Sequence, residues 1–200
     1  MDHRRAPVPS QLSLGGIAPA LPTDRLFFAL FPDPETTARI AALTQSLRNE
    51  HGLRGKAMHR DRLHVTLHHL GDHAGIPPDL VVRAGQAAAQ VVMRAFEVGF
   101  DSASSFAGRP GNRPCVLRGE QGLGSLVAMQ RQLGTCMQVA GLSQWVGRDF
   151  TPHVTLLYDA QGIAPRPVES VSWTAREFVL VHSELRQSRY HVLGRWLLQA

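Results

Sequence analysis

The sequence predicts an α+β fold with one histidine-bearing strand in each half of the chain. Short apolar runs, several of which alternate apolar and polar residues, are typical of strands. Three longer segments are instead predicted as helices: two place their apolar residues on one face, and one is rich in alanine and valine. The tetrapeptide His-Val-Thr-Leu occurs twice, beginning at His64 and at His153, and its β-branched residues favour a strand.

The first predicted elements are a buried strand and the helix that follows it. Arg25 to Phe31 is a short apolar run, too short for the roughly 18 residues of a membrane helix. Asp33 then stands as an N-cap and Pro34 as the first helical residue. We expect this helix to run to about Glu50.

Two further helices are predicted at about residues 78–95 and 123–140. The second of these carries a stripe of core residues, Leu126, Met129, Leu133 and Met137. The remaining strands are predicted at Leu63 to Leu70, Phe96 to Ser104, Cys115 to Gly119, His153 to Tyr158, Arg176 to Leu185 and Tyr190 to Gln199.

The chain is expected to fold as one unit after a flexible leader. Residues 1–24 contain four prolines and two adjacent glycines but lack the continuous apolar core of a secretory signal. Residues 25–200 are predicted to form a single domain, since no low-complexity linker divides them. We expect a soluble, cytoplasmic protein with no membrane partner, and a monomer as the default.

The composition identifies neither the binding partner nor a role for the two cysteines. The net charge is +5, and Lys56 is the only lysine, so arginine supplies nearly all of the positive charge. Arginine suits phosphate recognition, but a compositional bias towards arginine explains the same excess. Cys115 and Cys136 form neither a CxxC pair nor a disulfide framework, so reduced thiols are expected.

The repeated motif favours acid–base chemistry on a phosphate. Residues i and i+2 of a strand lie on one face, so His64 shares a face with Thr66, and His153 with Thr155. Two such pairs across a groove would supply an acid and a base, with two hydroxyls to hold a phosphate between them. This chemistry needs neither a metal nor another cofactor.

Two other readings of the histidines remain open. A single histidine on a half-buried strand is usually a hydrogen-bonded structural residue. The spacing of His64, His68, His69 and His73 also resembles a zinc site, but the segment favours a strand and has no accompanying cysteine or acidic cluster. In a regular strand His68 would lie on the same face as His64, as a groove wall or a residue that supports the motif, and His69 would lie on the opposite face, either packed or exposed.

Four blocks resemble the bacterial RNA 2′,3′-cyclic phosphodiesterases, also called 2′-5′ RNA ligases, of the 2H phosphoesterase superfamily. The blocks are RLFFAL, LHVTLHHLG, FTPHVTLLYDA and SELRQSRYHVLGRWLL, in that order from Arg25 towards the C-terminus. The resemblance implies a bilobal fold of two pseudo-symmetric antiparallel sheets, with helices outside and a central groove. It also implies hydrolysis of RNA or nucleotide 2′,3′-cyclic phosphate to the 2′-phosphate, with reversible 2′-5′ ligation as a side activity.

The resemblance implies a role for each motif residue. His64 matches the general acid that protonates the 3′-oxygen, and His153 matches the general base that activates water, although these roles exchange in the reverse reaction. Thr66 and Thr155 match the hydroxyls that hold the phosphate.

The chain departs from the family pattern at Tyr158, where relatives carry a phosphate-binding arginine. Tyrosine donates one hydrogen bond or stacks on a base but brings no positive charge. Candidate compensating residues are Arg62, Arg186 and Arg189, and candidate stacking residues are Phe27, Phe106, Trp145 and Tyr158. The alternatives to an enzyme are a module that binds RNA ends with weak or no turnover, and a structural domain that binds no nucleotide.

Overall fold

The computed structural model of the protein describes residues 20–109, 111–119, 122–147, 149–187 and 189–200. Residues 1–19 of the predicted leader lie outside the described residues. Within these ranges the strands are β1 (Asp24–Leu30), β2 (Val65–His73), β3 (Phe96–Ser105), β4 (Arg113–Arg118), β5 (His153–Asp159), β6 (Arg166–Ala175), β7 (Glu177–Glu184) and β8 (Arg189–Leu197). The helices are α1 (Pro34–His51), α2 (Pro78–Ala88) and α3 (Gly124–Val139).

The strands form one antiparallel sheet in the order β6-β3-β4-β5-β2-β1-β7-β8. Each half contributes four strands, and the two halves meet where β2 pairs with β5 through a single pair, Val65 and Val154. The predicted α+β class is therefore confirmed. The two predicted sheets are joined edge to edge into one, because the two motif strands are the inner edges of their halves.

The helices cover one face of the sheet and bury the main core against it. Helix α1 contacts β5 and β6, while α2 and α3 pack on each other and on β8, β2 and β3. The predicted cap is present, since Asp33 Oδ1 accepts a hydrogen bond of 2.8 Å from the Thr36 amide. Gly52 ends α1 with a φ of 63°, a conformation that favours glycine. None of the described helices has the length and apolar character needed to cross a membrane.

The opposite face of the β2-β1-β7-β8 half carries a second, smaller apolar cluster. Phe27 and Ala29 of β1 are buried there against Val179 and Val181 of β7. Tyr190 packs on the edge of this cluster. The three helices lie on the other side of the sheet. We call the side without helices the groove face.

The sequence prediction missed one strand and lengthened one helix. Strand β6 was not predicted. Its second residue is Pro167, which strands seldom contain, yet proline is tolerated at a sheet edge, where β6 lies. Helix α2 ends at Ala88 rather than near residue 95, because the segment after it becomes extended and Arg94 pairs with Gln199.

Candidate active site

The two histidine motifs lie side by side at the centre of the sheet. His64 directly precedes β2 and His153 is the first residue of β5. Because Val65 faces Val154 in an antiparallel register, His64 is set beside Thr155, and Thr66 beside His153. Opposed residues share a face, so the two histidines and two threonines lie together on the groove face, while both valines are fully buried on the other side.

Both imidazoles are held by the same backbone contact. Nδ1 of His64 is 2.7 Å from the Arg62 carbonyl oxygen, and Nδ1 of His153 is 2.7 Å from the Thr151 carbonyl oxygen. A carbonyl only accepts, so each Nδ1 carries the hydrogen and each Nε2 is left as the atom that gains or loses a proton. Nε2 of His64 is 3.1 Å from the Thr66 hydroxyl oxygen.

Burial disfavours the charged form of both histidines. The pKa of His64 is lowered to about 4, mainly by burial and in smaller part by the positive charges of Arg62 and His153, against the opposing effect of the hydrogen bond to the Arg62 carbonyl. Burial also lowers the pKa of His153, against the opposing effect of the Thr151 carbonyl. Both rings are therefore neutral at pH 7 in the empty site, and an anion bound between them would favour protonation.

A β-bulge recurs directly after the threonine of each motif. Thr66 faces Ala29 but His68 faces Phe28, so Leu67 is an extra residue in β2. Likewise, Thr155 faces Val116 and Leu157 faces Cys115, so Leu156 is an extra residue in β5. A bulge reverses the alternation of side chains beyond it, which changes the face on which every later residue of the strand lies.

The bulge makes the predicted placement of His68 and His69 wrong. His68 turns into the core, where it is 3% exposed and its Nε2 is 2.8 Å from the Gln130 carbonyl oxygen of α3. His69 lies opposite Phe27 on the groove face, exposed to solvent. The extra residue Leu67 exchanged their faces. Among the described residues no group of three or more histidine, cysteine or acidic residues could hold a metal.

The corresponding bulge in β5, at Leu156, brings Tyr158 to the groove face. Tyr158 follows His153 by five residues, as His69 follows His64, and is 46% exposed. Among the candidate compensating arginines, Arg62 places its guanidinium 4.8 Å from the centre of the Tyr190 ring. Arg189 lies beside Tyr190 on β8, whereas Arg186 lies in the turn between β7 and β8.

An aromatic cage around His64 was not predicted from the sequence. Phe27 stacks on the imidazole at 5.0 Å, and Phe31 and Tyr190 each lie at 5.7 Å. Phe106 packs edge-on against His153 at 5.0 Å. The alternation of side chains along β1 could have indicated this cage. It sets Phe27 and Phe31 on one face and the core residues on the other, which are Leu26, Phe28 and Leu30.

The contacts of two further residues, Arg25 and Trp145, were not predicted from the sequence. Arg25, the first residue of the block RLFFAL, donates from its Nε and Nη2 to Asp72 at 2.6 and 2.8 Å. Both side chains are partly exposed on the groove face. Trp145, one candidate for stacking on a base, instead packs edge-on against His73, away from the two motifs.

The cysteines have no place in this site. Both are free thiols, and burial raises the pKa of Cys115 to about 11. A thiol of that pKa is not ionised near pH 7 and is a poor nucleophile.

The paired His-x-Thr strands and the helix-covered sheet are those of a 2H phosphoesterase. The family model described as the 2′-5′ RNA ligase superfamily matches residues 31–187, and the chain belongs to this superfamily. Comparison with curated proteins returned no match.

Solved structures of the same fold include E. coli LigT. Its apo form is 27% identical, with a TM-score of 0.68, over 90% of this chain and all of that one. LigT complexed with 3′-AMP is 26% identical, with a TM-score of 0.67 over the same shares. The protein TT0787 of Thermus thermophilus shares the fold at 23% identity, with a TM-score of 0.68 over 88% of this chain and 98% of that one.

Proposed function

We propose that the protein hydrolyses the 2′,3′-cyclic phosphate of an RNA or nucleotide to the 2′-phosphate without a metal. When the 5′-hydroxyl of a second RNA replaces water as the nucleophile, the same displacement of O3′ joins the two ends through a 2′-5′ bond, and this ligation is reversible. The observation that carries the proposal is the pair of imidazoles, one from each motif strand, on the groove face. Each is anchored through Nδ1 at 2.7 Å, which leaves its Nε2 available for proton transfer on the same face.

The two histidines divide the proton transfers between them. Nε2 of His153 takes a proton from water as the water oxygen bonds to phosphorus. The bond from phosphorus to O3′ breaks, and O3′ takes the proton from Nε2 of His64. One water is consumed, and the products are a free 3′-hydroxyl and a 2′-phosphate. Solvent then restores the two protonation states.

Binding of the substrate raises the pKa of the acid, His64. An acid with a pKa of about 4 is mostly unprotonated at pH 7. The negative phosphodiester, bound beside it in a partly buried site, raises that pKa because it stabilises the imidazolium. Thr66 and Thr155 donate their hydroxyl hydrogens to the non-bridging oxygens, and Tyr158 offers a further donor in place of the arginine of relatives. The complex of LigT with 3′-AMP supports a nucleotide as the ligand of this kind of site.

The test is hydrolysis of a short RNA that ends in a 2′,3′-cyclic phosphate, in excess chelator, with 2′- and 3′-phosphate products resolved. We expect a 2′-phosphate, and a loss of at least about a hundredfold in kcat for His64→Ala and for His153→Ala. His51→Ala, at the end of α1, is the matched control and should retain activity. A 3′-phosphate product, or full activity in either motif variant, would contradict the mechanism.

A second candidate is a module that binds cyclic-phosphate ends with weak or no turnover. Two features favour it. Tyr158 brings no positive charge to the position where relatives carry an arginine, and the pKa of His64 is low in the empty protein. Binding of the RNA by the wild type, with no product after long incubation, would support the module over the enzyme.

A further inference from the structure

A large cavity lies on the groove face, next to two of the rings that pack on His64. Its volume is about 770 Å³, within the range of ligand sites in proteins. Its floor includes Ala29 and Val179 of the groove-face cluster. Phe31 and Tyr190 line the cavity and also pack on the imidazole of His64, so the cavity opens next to this histidine.

One wall of the cavity is held in position by contacts within the protein. It is formed by residues 56–59, 61 and 62, which precede β2. Backbone pairing fixes this wall to β5, because Ala57 bridges to Leu157 and the Met58 amide donates to the Leu156 carbonyl at 2.8 Å. The Gly55 amide adds a bond of 2.5 Å to the buried Asp159 carboxylate.

The rim of the cavity carries unbalanced positive charge. Lys56, Arg62 and Arg189 line it, and none of the ion pairs among the described residues includes them. Arg195 also lines the cavity but is paired with Glu177. Asp61 is the other acid of the lining and contacts His59, so the three cations without an ion pair outnumber one carboxylate. An apolar floor with an aromatic ring and a basic rim suits a nucleobase whose neighbouring phosphate lies at the rim.

The chemistry of the proposed reaction decides which nucleotide lies in the cavity. In-line attack puts the water opposite O3′, so the ribose and the RNA on its 5′ side lie on the side of the acid. We propose that the cavity binds the nucleoside that carries the cyclic phosphate, while Lys56 and Arg189 bind the phosphate on its 5′ side. The preferred substrate is then an RNA oligonucleotide rather than a mononucleotide, with His64 facing O3′. This inference rests on the proposed function.

The test compares two substrates, adenosine 2′,3′-cyclic phosphate and a triadenylate that ends in the same cyclic phosphate. We expect kcat/KM to favour the triadenylate by about tenfold or more at low salt, because of its additional phosphate contacts. In the double variant Lys56→Ala/Arg189→Ala this ratio should fall about tenfold, mainly through KM, with a shallower dependence of KM on salt. Both residues are exposed, so the variant is expected to fold.

The control variant removes two positive charges elsewhere. Arg83→Ala/Arg94→Ala changes exposed residues in α2 and the segment after it, and should keep the wild-type ratio. Equal kcat/KM for the two substrates, or a ratio that survives in the cavity variant, would overturn the cavity assignment while hydrolysis itself upholds the proposed function. Hydrolysis of neither substrate would overturn both.

Discussion

Among the described residues, Val65 and Val154 form the one register pair between β2 and β5, where the two halves of the sheet meet. Each is flanked by the histidine and threonine of its motif, and both side chains are fully buried. The distance between the imidazoles thus depends on the packing of two small apolar side chains on the opposite face. The first prediction concerns this pair.

Val154→Ala should lower both stability and turnover. Removing two buried methyl groups costs roughly 2 kcal/mol of unfolding free energy, and the loosened joint misplaces His153 relative to His64. Val98→Ala, in β3, removes the same group from an equally buried position away from the motifs. Chemical denaturation should show similar losses in both variants, whereas kcat should fall only for Val154→Ala. Equal kcat values would mean that the joint does not position the site.

Phosphate should raise the pKa of His64. In the empty protein this pKa is about 4, because burial disfavours the imidazolium. A bound anion reverses that preference, so inorganic phosphate should bind more tightly as the pH falls towards 5. Histidine Cε1–H signals, followed by NMR from pH 8 to 4 with and without phosphate, measure the pKa directly, and the spectrum of His64→Gln assigns the signal. A pKa that phosphate leaves unchanged would place the anion elsewhere.

Acid should destabilise the protein partly through His64. Its folded-state pKa is depressed below the ordinary 6.5, so between pH 6.5 and about 4 the unfolded chain binds a proton that the folded chain does not. The stabilisation is present above pH 6.5 and is lost as the pH falls through this window. His68 and His153 act in the same direction, because burial lowers the pKa of each.

The variant His64→Gln isolates this contribution. It removes the titrating group but keeps a polar side chain of similar size. Unfolding free energies at pH 7.5 and pH 4.5 should differ less in the variant than in the wild type. The same difference in both proteins would show that His64 takes up its proton equally well in the folded state.

Restoring the arginine of relatives should strengthen phosphate binding. In Tyr158→Arg a charged donor replaces a neutral one on the groove face, and hydrogen bonds to charged groups contribute roughly 1.5–3 kcal/mol. We expect the Kd for 2′-AMP to fall about tenfold, and its salt dependence to steepen. Tyr158→Phe tests the hydroxyl alone. An unchanged Kd in Tyr158→Arg would mean that other residues of the groove face, such as Arg25 or Arg62, already supply the charge.

Local patterns were enough to predict most of the secondary structure and the four motif residues. The apolar runs gave seven of the eight strands in approximate position, and Asp33 and Pro34 marked the start of α1. The strand period of two was also enough to put His64 with Thr66, and His153 with Thr155, on common faces. These features depend on residues close together in the chain.

The bulges and the aromatic cage depended on residues far apart. A bulge arises when one strand has an extra residue relative to its neighbour, so neither Leu67 nor Leu156 identifies it alone. Its consequence was the reversed placement of His68 and His69. The cage around His64 joins residues of β1 and β8, which come together only through the order of strands in the sheet.

The sequence by itself determined the chemical groups of the site, because two imidazoles and two hydroxyls at i and i+2 follow from strand geometry alone. Only the tertiary structure decided that these groups meet, that each Nδ1 is fixed by a backbone carbonyl, and that the cavity lies beside His64. The physical reason is that burial, register and bulges are properties of paired strands. They set the protonation state and the environment of a histidine, and no single strand carries that information.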